Sequence, residues 1–263
     1  MDDMFDFALY AQALPVLMAL TAAVWVLSLV TKDASWIDPF WPVLFLAAGE
    51  VYAWNNPVED APRQALVLGL LVAWAVRLGG YLAWRKLQEP GEDHRYQAMR
   101  ANKPETFARR SLVTVFWLQA GLAWIVAAPL LGAMHSGAPL GALDWAGVAL
   151  WGVGFFFEAV GDFQLARFKG NPDNKGQVLD SGLWRYTRHP NYFGNFCLWW
   201  GWYLLAVSAG GAWSAFGPLF MSFLLLKVSG VTLLEKDIGE RRPAYAEYIR
   251  RTNAFFPGPP RAA

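Results

Sequence analysis

The sequence predicts an all-α integral membrane protein, a seven-transmembrane helix bundle with cytoplasmic loops, and three observations carry that reading. Only 16% of the 263 residues are charged while 56% are hydrophobic, where a soluble domain carries about 25% charge. Apolar runs recur at the length, roughly 20 residues, that a helix needs to cross a bilayer. Basic residues gather in a few segments between those runs, as membrane topology requires.

The first run, Ala8 to Val30, is uncharged. It is too long for a signal-peptide core and lacks a basic start or a small-residue cleavage site, so it reads as a permanent helix. Ile37 to Trp54 is the second span, with Asp38 near its cytoplasmic end and Glu50 farther along. Ala65 to Leu87 is the third; Arg77 and Tyr81, four apart, share a helix face that Arg85 continues. Lys86 to Arg110 is then a polar cytoplasmic loop rich in His, Arg, Tyr and Asn. Leu112 to Met134, again uncharged, is the fourth span, and Asp144 to Leu165 the fifth, with Glu158 and Asp162 four apart on one face. Gly152 and Gly154 follow no strand, so they read as helix-packing positions and not as a dinucleotide fingerprint. The second cytoplasmic loop, Phe168 to His189, carries the turn signals Asn171-Pro172 and Lys175-Gly176. Phe193 to Val207 and Ser214 to Leu234 complete the seven spans. Glu235 to Thr252 reads as an amphipathic surface helix whose Tyr245, Tyr248 and arginines suit the headgroup layer.

These elements form a single transmembrane domain over residues 1–263. Lys and Arg concentrate in the two long loops and the tail, while the segments 1–6, 55–62 and 135–143 are acidic or neutral. An odd number of spans therefore puts the N-terminus outside and the C-terminus in the cytoplasm. A net charge of +1 gives no reason to expect nucleic acid as a partner. The single cysteine, Cys197, excludes a disulfide framework or a Cys-rich metal site and reads as packing; no metal ligand set is expected.

The segment LWRYTRHPNYFG (Leu183 to Gly194) sets two arginines and a histidine against the start of a hydrophobic helix. Pro190 suits the first helical position, where free backbone N–H groups and the positive end of the helix dipole favour a phosphate or carboxylate. Arg185, Arg188 and His189 form a clamp for such an anion. Basic residues beside a membrane helix can serve only to orient it, but Trp184, Tyr186, Asn191, Tyr192 and Asn195 add groups that orientation does not need. Ionisable residues within the spans are costly in hydrocarbon and so face a cavity or a partner. Pairing between helices, for instance of Arg77 with Glu158, is the structural alternative to a functional role.

LWRYTRHPNYFG followed by CLWWGWYLL, and preceded by the helix bearing Glu158 and Asp162, resembles the C-terminal region of membrane steroid 5α-reductases and of the broader bacterial membrane family that shares it. The Arg-His-Pro-x-Tyr core is shared with isoprenylcysteine carboxyl methyltransferases. The resemblance implies NADPH as cofactor, reduction of the double bond of a hydrophobic enone such as a 3-oxo-4-ene steroid entering from the bilayer lipids, and a bacterial inner-membrane location. By the same resemblance Glu50 and Tyr81 bind the ketone. Arg95, Glu158, Asp162, Lys169, Asn174, Arg185, Tyr186, Arg188, His189, Asn191, Tyr192 and Asn195 are the implied cofactor contacts. The chain departs from the pattern at Gly49, where the family has glutamine, at Asn195, where it has glutamate, and at Val231 and Glu235, where it has histidine and tyrosine.

The chemistry is coherent with those residue types. Hydride delivery to the β-carbon of an enone builds negative charge on the carbonyl oxygen, and a Tyr81 O–H can stabilise it, with Glu50 or Asp38 beside it. With straight helices Glu50 lies about 20 Å from the cytoplasmic end of its span and Tyr81 about 9 Å from its own. Asp38 is therefore the alternative partner of Tyr81. Methyl transfer from S-adenosylmethionine is the alternative reaction; that cofactor lacks phosphates, and Arg95, Lys169, Arg185 and Arg188 favour a phosphate-bearing one.

Overall fold

The computed structural model describes residues 5–58, 62–89, 91–228 and 243–261. Among them there is no strand. The helices are α1 (Phe7–Thr31), α2 (Ile37–Asn55), α3 (Pro62–Gln88), α4 (His94–Asn102), α5 (Pro104–Met134), α6 (Ala142–Gly170), α7 (Pro190–Ser208), α8 (Ala212–Val228) and α9 (Pro243–Arg251). Four of these, α1, α3, α5 and α6, are long and apolar enough to cross a membrane. The sequence reading counts seven spans. Helices α2 and α7 reach 19 residues each, but acidic residues in the first and Asn, Gly, Trp and Tyr in the second dilute their apolar character. The predicted seventh span keeps Ala212–Val228; its remainder, with Val231 and Glu235, lies outside the described residues.

Local chemistry explains the boundaries. Asp6 caps α1 by accepting from the Leu9 N–H at 2.9 Å, and Lys32 ends it in the left-handed conformation at φ 55°. The loop expected at Lys86 to Arg110 is largely helical. Asp93 caps α4 through the Arg95 N–H at 2.9 Å, and Pro104 takes the first position of α5, which starts eight residues before the expected span. A π-helical stretch, Leu112–Trp117, interrupts α5. The helix also breaks at Ala127, ahead of Pro129, whose ring lacks an N–H for the ladder. Helix α6 runs past Leu165 to Gly170, carrying Arg167 and Lys169 in its last turn.

The chain divides into two compact units, residues 1–141 with 205–216, and residues 142–204 with 217–263. In the first, α2 packs between α1 and α3. Phe45 meets Trp74 edge-on at 5.7 Å, and Tyr10 stacks on Trp124 at 4.5 Å. The Tyr10 hydroxyl donates to the Trp124 carbonyl at 2.8 Å and the Trp124 indole N–H returns a bond to the Tyr10 carbonyl at 2.9 Å. Tyr96 and Phe107 join a buried cluster with Val24, Ile37 and Phe116, which fixes the α4 region to the ends of α1 and α2.

The second unit is built on α6 against α7. Lipid tails are as apolar as the side chains, so close packing holds such a pair together. A Cβ at Gly154 would lie 2.6 Å from the Gly194 carbonyl oxygen and the Leu198 nitrogen. Gly161 meets Asn191 and Gly201 meets Gly147 in the same way, so the backbones touch along the whole seam. Cys197 is buried there as a free thiol.

Candidate functional site

In the first unit a polar cleft of about 300 Å³ opens beside the start of α2, the end of α3 and the turn ahead of α4. Asp38, Leu82, Arg85, Lys86, Glu89 and His94 are among its walls. Asp38 accepts from Arg95 Nη2 at 2.9 Å and from the Tyr96 hydroxyl at 3.0 Å. Arg95 Nε also donates to Asp93 at 2.9 Å. Lys86 pairs with Asp33, whose other oxygen accepts from the Ser35 N–H and hydroxyl at 2.9 and 2.6 Å. Glu92 receives Arg100 through two nitrogens at 2.7 and 2.9 Å and the Ala34 N–H at 2.9 Å.

The electrostatics follow from these partners. Burial opposes ionisation of Asp33, but the Lys86 ammonium and the Ser35 donors outweigh it and hold the carboxyl below its usual range. Asp93 is lowered in the same way, its burial outweighed by Arg95. Burial pushes the Tyr96 phenol upward and the neighbouring Asp38 carboxylate pushes it further. Burial works against the Arg95 charge, yet Asp93 and Asp38 more than compensate, so its guanidinium is permanently cationic.

The sequence-expected ketone residues do not stand at one level. Gly49, next to Glu50, meets Leu71, since a Cβ there would be 2.6 Å from Leu71 Cδ2, whereas Gly79 faces the Pro39 carbonyl. Leu71 lies ten residues before Tyr81, about 15 Å of helix axis. Tyr81, half-buried and stacked on Trp84 at 6.1 Å, is thus at the height of Asp38 and Pro39. Glu50 is exposed farther along α2. The two antiparallel helices bring Asp38, not Glu50, to the level of Tyr81.

In the second unit the acidic pair of α6 meets the amide pair of α7. Asp162 accepts from Asn191 Nδ2 at 3.1 Å, and Glu158 accepts from Asn195 Nδ2 at 2.9 Å. Both carboxylates and Asn195 are buried. Pro190 is the first residue of α7, as its ring favours. The turn Gly182–Arg185 is bonded to α6, where the Leu183 N–H donates to Gln164 Oε1 at 3.0 Å and the Trp184 indole donates to the Gly161 carbonyl at 3.1 Å. Gly182 is needed there: its φ is +61° and a Cβ would sit 2.4 Å from Gln164 Nε2. Asn174 Nδ2 bonds to the Phe168 carbonyl at 2.9 Å, closing the end of α6.

The two arginines of LWRYTRHPNYFG have different fates. Arg185 is exposed, with no side-chain partner among the described residues. Arg188 is 6% exposed. Its Nη1 donates to the Ile249 carbonyl at 3.1 Å and to the Thr252 carbonyl, and its backbone N–H donates to the Asn253 carbonyl at 2.9 Å. It therefore closes the end of α9. His189 is buried and stacks on the half-buried Tyr192 at 5.5 Å, while Tyr186 and Lys169 are exposed. Arg95 belongs to the first unit, and the other implied cofactor contacts belong to the second.

Tyr248 corrects the headgroup-layer reading of the C-terminal helix. It is 2% exposed, and its hydroxyl donates to the Trp184 carbonyl at 2.5 Å. Arg251 reaches Asp180 at 3.0 Å. Sequence reasoning missed that α9 docks on the second loop, although the spacing of Tyr248 and Thr252 by four, both buried, marks an inward face. Residues 235–242 of the predicted surface helix lie outside the described residues.

The chain is matched over residues 24–252 by the family described as "Protein of unknown function (DUF1295)". It is also similar to an uncharacterized protein of Schizosaccharomyces pombe, 26% identical over 269 residues, which span 89% of this chain and 75% of that protein. No solved structure matches it.

Proposed function

The chain belongs to the DUF1295 family, and we propose that this member is a membrane oxidoreductase that uses NADPH to reduce the carbon–carbon double bond of a hydrophobic enone. The substrate would be a 3-oxo-4-ene steroid or similar polycyclic lipid drawn from the bilayer, and the location the bacterial inner membrane. The observation that carries this reading is the exposed Arg185 on the turn bonded to α6 at Gly161 and Gln164, next to the buried Asp162 and the half-buried Asn191 that it holds. An exposed guanidinium suits phosphate oxygens, and the carboxylate-held amides of Asn191 and Asn195 suit a neutral head group. Both needs are met by a dinucleotide.

When bound, the reduced nicotinamide supplies hydride to the β-carbon of the enone. Arg185 and Lys169 would hold the phosphates, and Asn191 and Asn195 the neutral end. Tyr81 would donate its O–H to the carbonyl oxygen as negative charge builds there, and a proton from water would then add to the α-carbon to complete the saturated ketone. Asp38, at the same height, accepts from Tyr96 and Arg95 and would keep a charged, hydrogen-bonded group beside that carbonyl.

The test is a thermal-shift titration of detergent-solubilised protein with NADPH, NADH and S-adenosylmethionine, because a ligand that binds only the folded state raises its melting temperature. NADPH should give the largest shift, and adding a 3-oxo-4-ene steroid should consume it. A shift with S-adenosylmethionine and none with NADPH would turn the reading to methyl transfer.

A further inference from the structure

Asn195 has one half of its amide explained and the other half not. Its Nδ2 donates to Glu158 Oε1 at 2.9 Å, while its Oδ1 is buried and finds no hydrogen-bond partner among the described residues. The side chain is 7% exposed and Glu158 only 3%. A carboxylate offers acceptors and no donor, so the amide can face Glu158 only through its NH2. The carbonyl must then point away from Glu158. Leaving a buried acceptor empty is costly, and a native protein that does so usually has a use for it.

The backbone around this pair is held tightly. A Cβ at Gly194 would lie 2.4 Å from the Glu158 nitrogen and 2.8 Å from the Glu158 Cβ, so the residue before Asn195 rests directly on the residue that binds it. One turn away Asp162 holds Asn191 by the same bond, but the Asn191 Oδ1 is already used by the Tyr192 N–H at 3.1 Å. Of these two asparagines, Asn195 is the one whose amide oxygen has no partner among the described residues.

We infer that Glu158 is a positioning residue: by holding Asn195 Nδ2 it locks the Asn195 carbonyl as the presented group, so that the site selects a neutral ligand group that donates an N–H. This rests on the cofactor reading above, in which that group is the nicotinamide carboxamide. Glu158 does not touch the ligand; it sets the polarity with which Asn195 reads it.

The test compares two ligands in each protein, so that general loss of structure cancels. Dissociation constants for NADP⁺ and for its 3-acetylpyridine analogue, which replaces the carboxamide NH2 by a methyl group and leaves the charge of the dinucleotide unchanged, are measured with the full-length protein in detergent. The wild type should prefer the carboxamide by about tenfold, the scale of one hydrogen bond. Asn195→Leu should remove the preference. Glu158→Gln should reduce it to about two- or threefold, since a glutamine can accept or donate and so frees the Asn195 amide to turn. An unchanged preference in Glu158→Gln overturns the positioning role while leaving the cofactor reading intact. A wild-type preference near unity overturns the inference without any variant. Failure of the wild type to bind either ligand overturns the cofactor reading and the inference together.

Discussion

Arg185 and Arg188 are three residues apart in one motif, and the structure predicts that removing them has opposite consequences. Arg188→Ala deletes a buried guanidinium whose Nη1 bonds the Ile249 and Thr252 carbonyls at the end of α9. Each bond to a charged donor contributes about 1.5–3 kcal/mol, and the two carbonyls would be left without their donor, so the loss should be at least about 3 kcal/mol. At roughly 2–4 °C per kcal/mol for a chain of this size, the melting temperature in detergent should fall by about 6 °C or more. Arg185→Ala removes an exposed side chain that bonds nothing among the described residues. Its stability should stay within about 0.5 kcal/mol of the parent, while NADPH affinity measured by calorimetry should weaken by about ten- to a hundredfold. The reasoning fails if Arg188→Ala melts within a degree of the parent. It fails equally if Arg185→Ala is the destabilised variant or binds NADPH as the parent does.

Three further outcomes are expected. Tyr81→Phe should slow reduction of a 3-oxo-4-ene steroid by about a hundredfold or more in single-turnover fluorescence of NADPH, as loss of one donor to a developing oxyanion does; Asp38→Asn should slow it less and Glu50→Gln should leave it near normal, so a loss confined to Glu50→Gln would restore Glu50 as the partner of Tyr81. The folded state lowers the Asp33 pKa, so the stabilisation it brings is present at neutral pH and lost as pH falls through the carboxylate range near 4 and below; Asp33→Asn should be less stable at neutral pH and show a shallower loss of melting temperature on acidification, and parallel acid-melting curves would refute the assignment. Gly154→Leu should destabilise by about 1–3 kcal/mol or more, because its Cβ would fall 2.6 Å from backbone atoms of α7; Gly152→Leu, with open space at the same helix, is the control and should melt like the parent.

The helical class and most helix positions were legible because length and apolarity are local properties. The ends were less so. Helices α4, α5 and α6 all take in polar residues that a hydropathy reading assigns to loops, since Asp93, Pro104 and the tail of α6 follow capping and propensity rather than hydrophobicity. The second loop and the C-terminal segment were the least legible part. Tyr248 buries against Trp184 and Arg188 closes α9 only because chain segments some sixty residues apart fold onto each other, and nothing in either segment alone announces the meeting. That is also why two arginines of the same motif could not be told apart: their difference lies in residues 249–253.

The core of the second unit, by contrast, was written in the spacing. Glu158 and Asp162 are four apart on α6, and Asn191 and Asn195 are four apart on α7. In an antiparallel pair, four residues back along one helix stand opposite four residues forward along the other, so one register that sets Asp162 against Asn191 must also set Glu158 against Asn195. The glycines fix that register independently, since Gly161 meets Asn191, Gly154 meets Gly194 and Gly147 meets Gly201 along the same seam. An acid facing an amide is a pairing with a defined polarity, because the acid can only accept when ionised. Glu158 therefore holds the Asn195 amide by its nitrogen and leaves the Asn195 carbonyl oxygen turned away from it, buried and without a partner among the described residues.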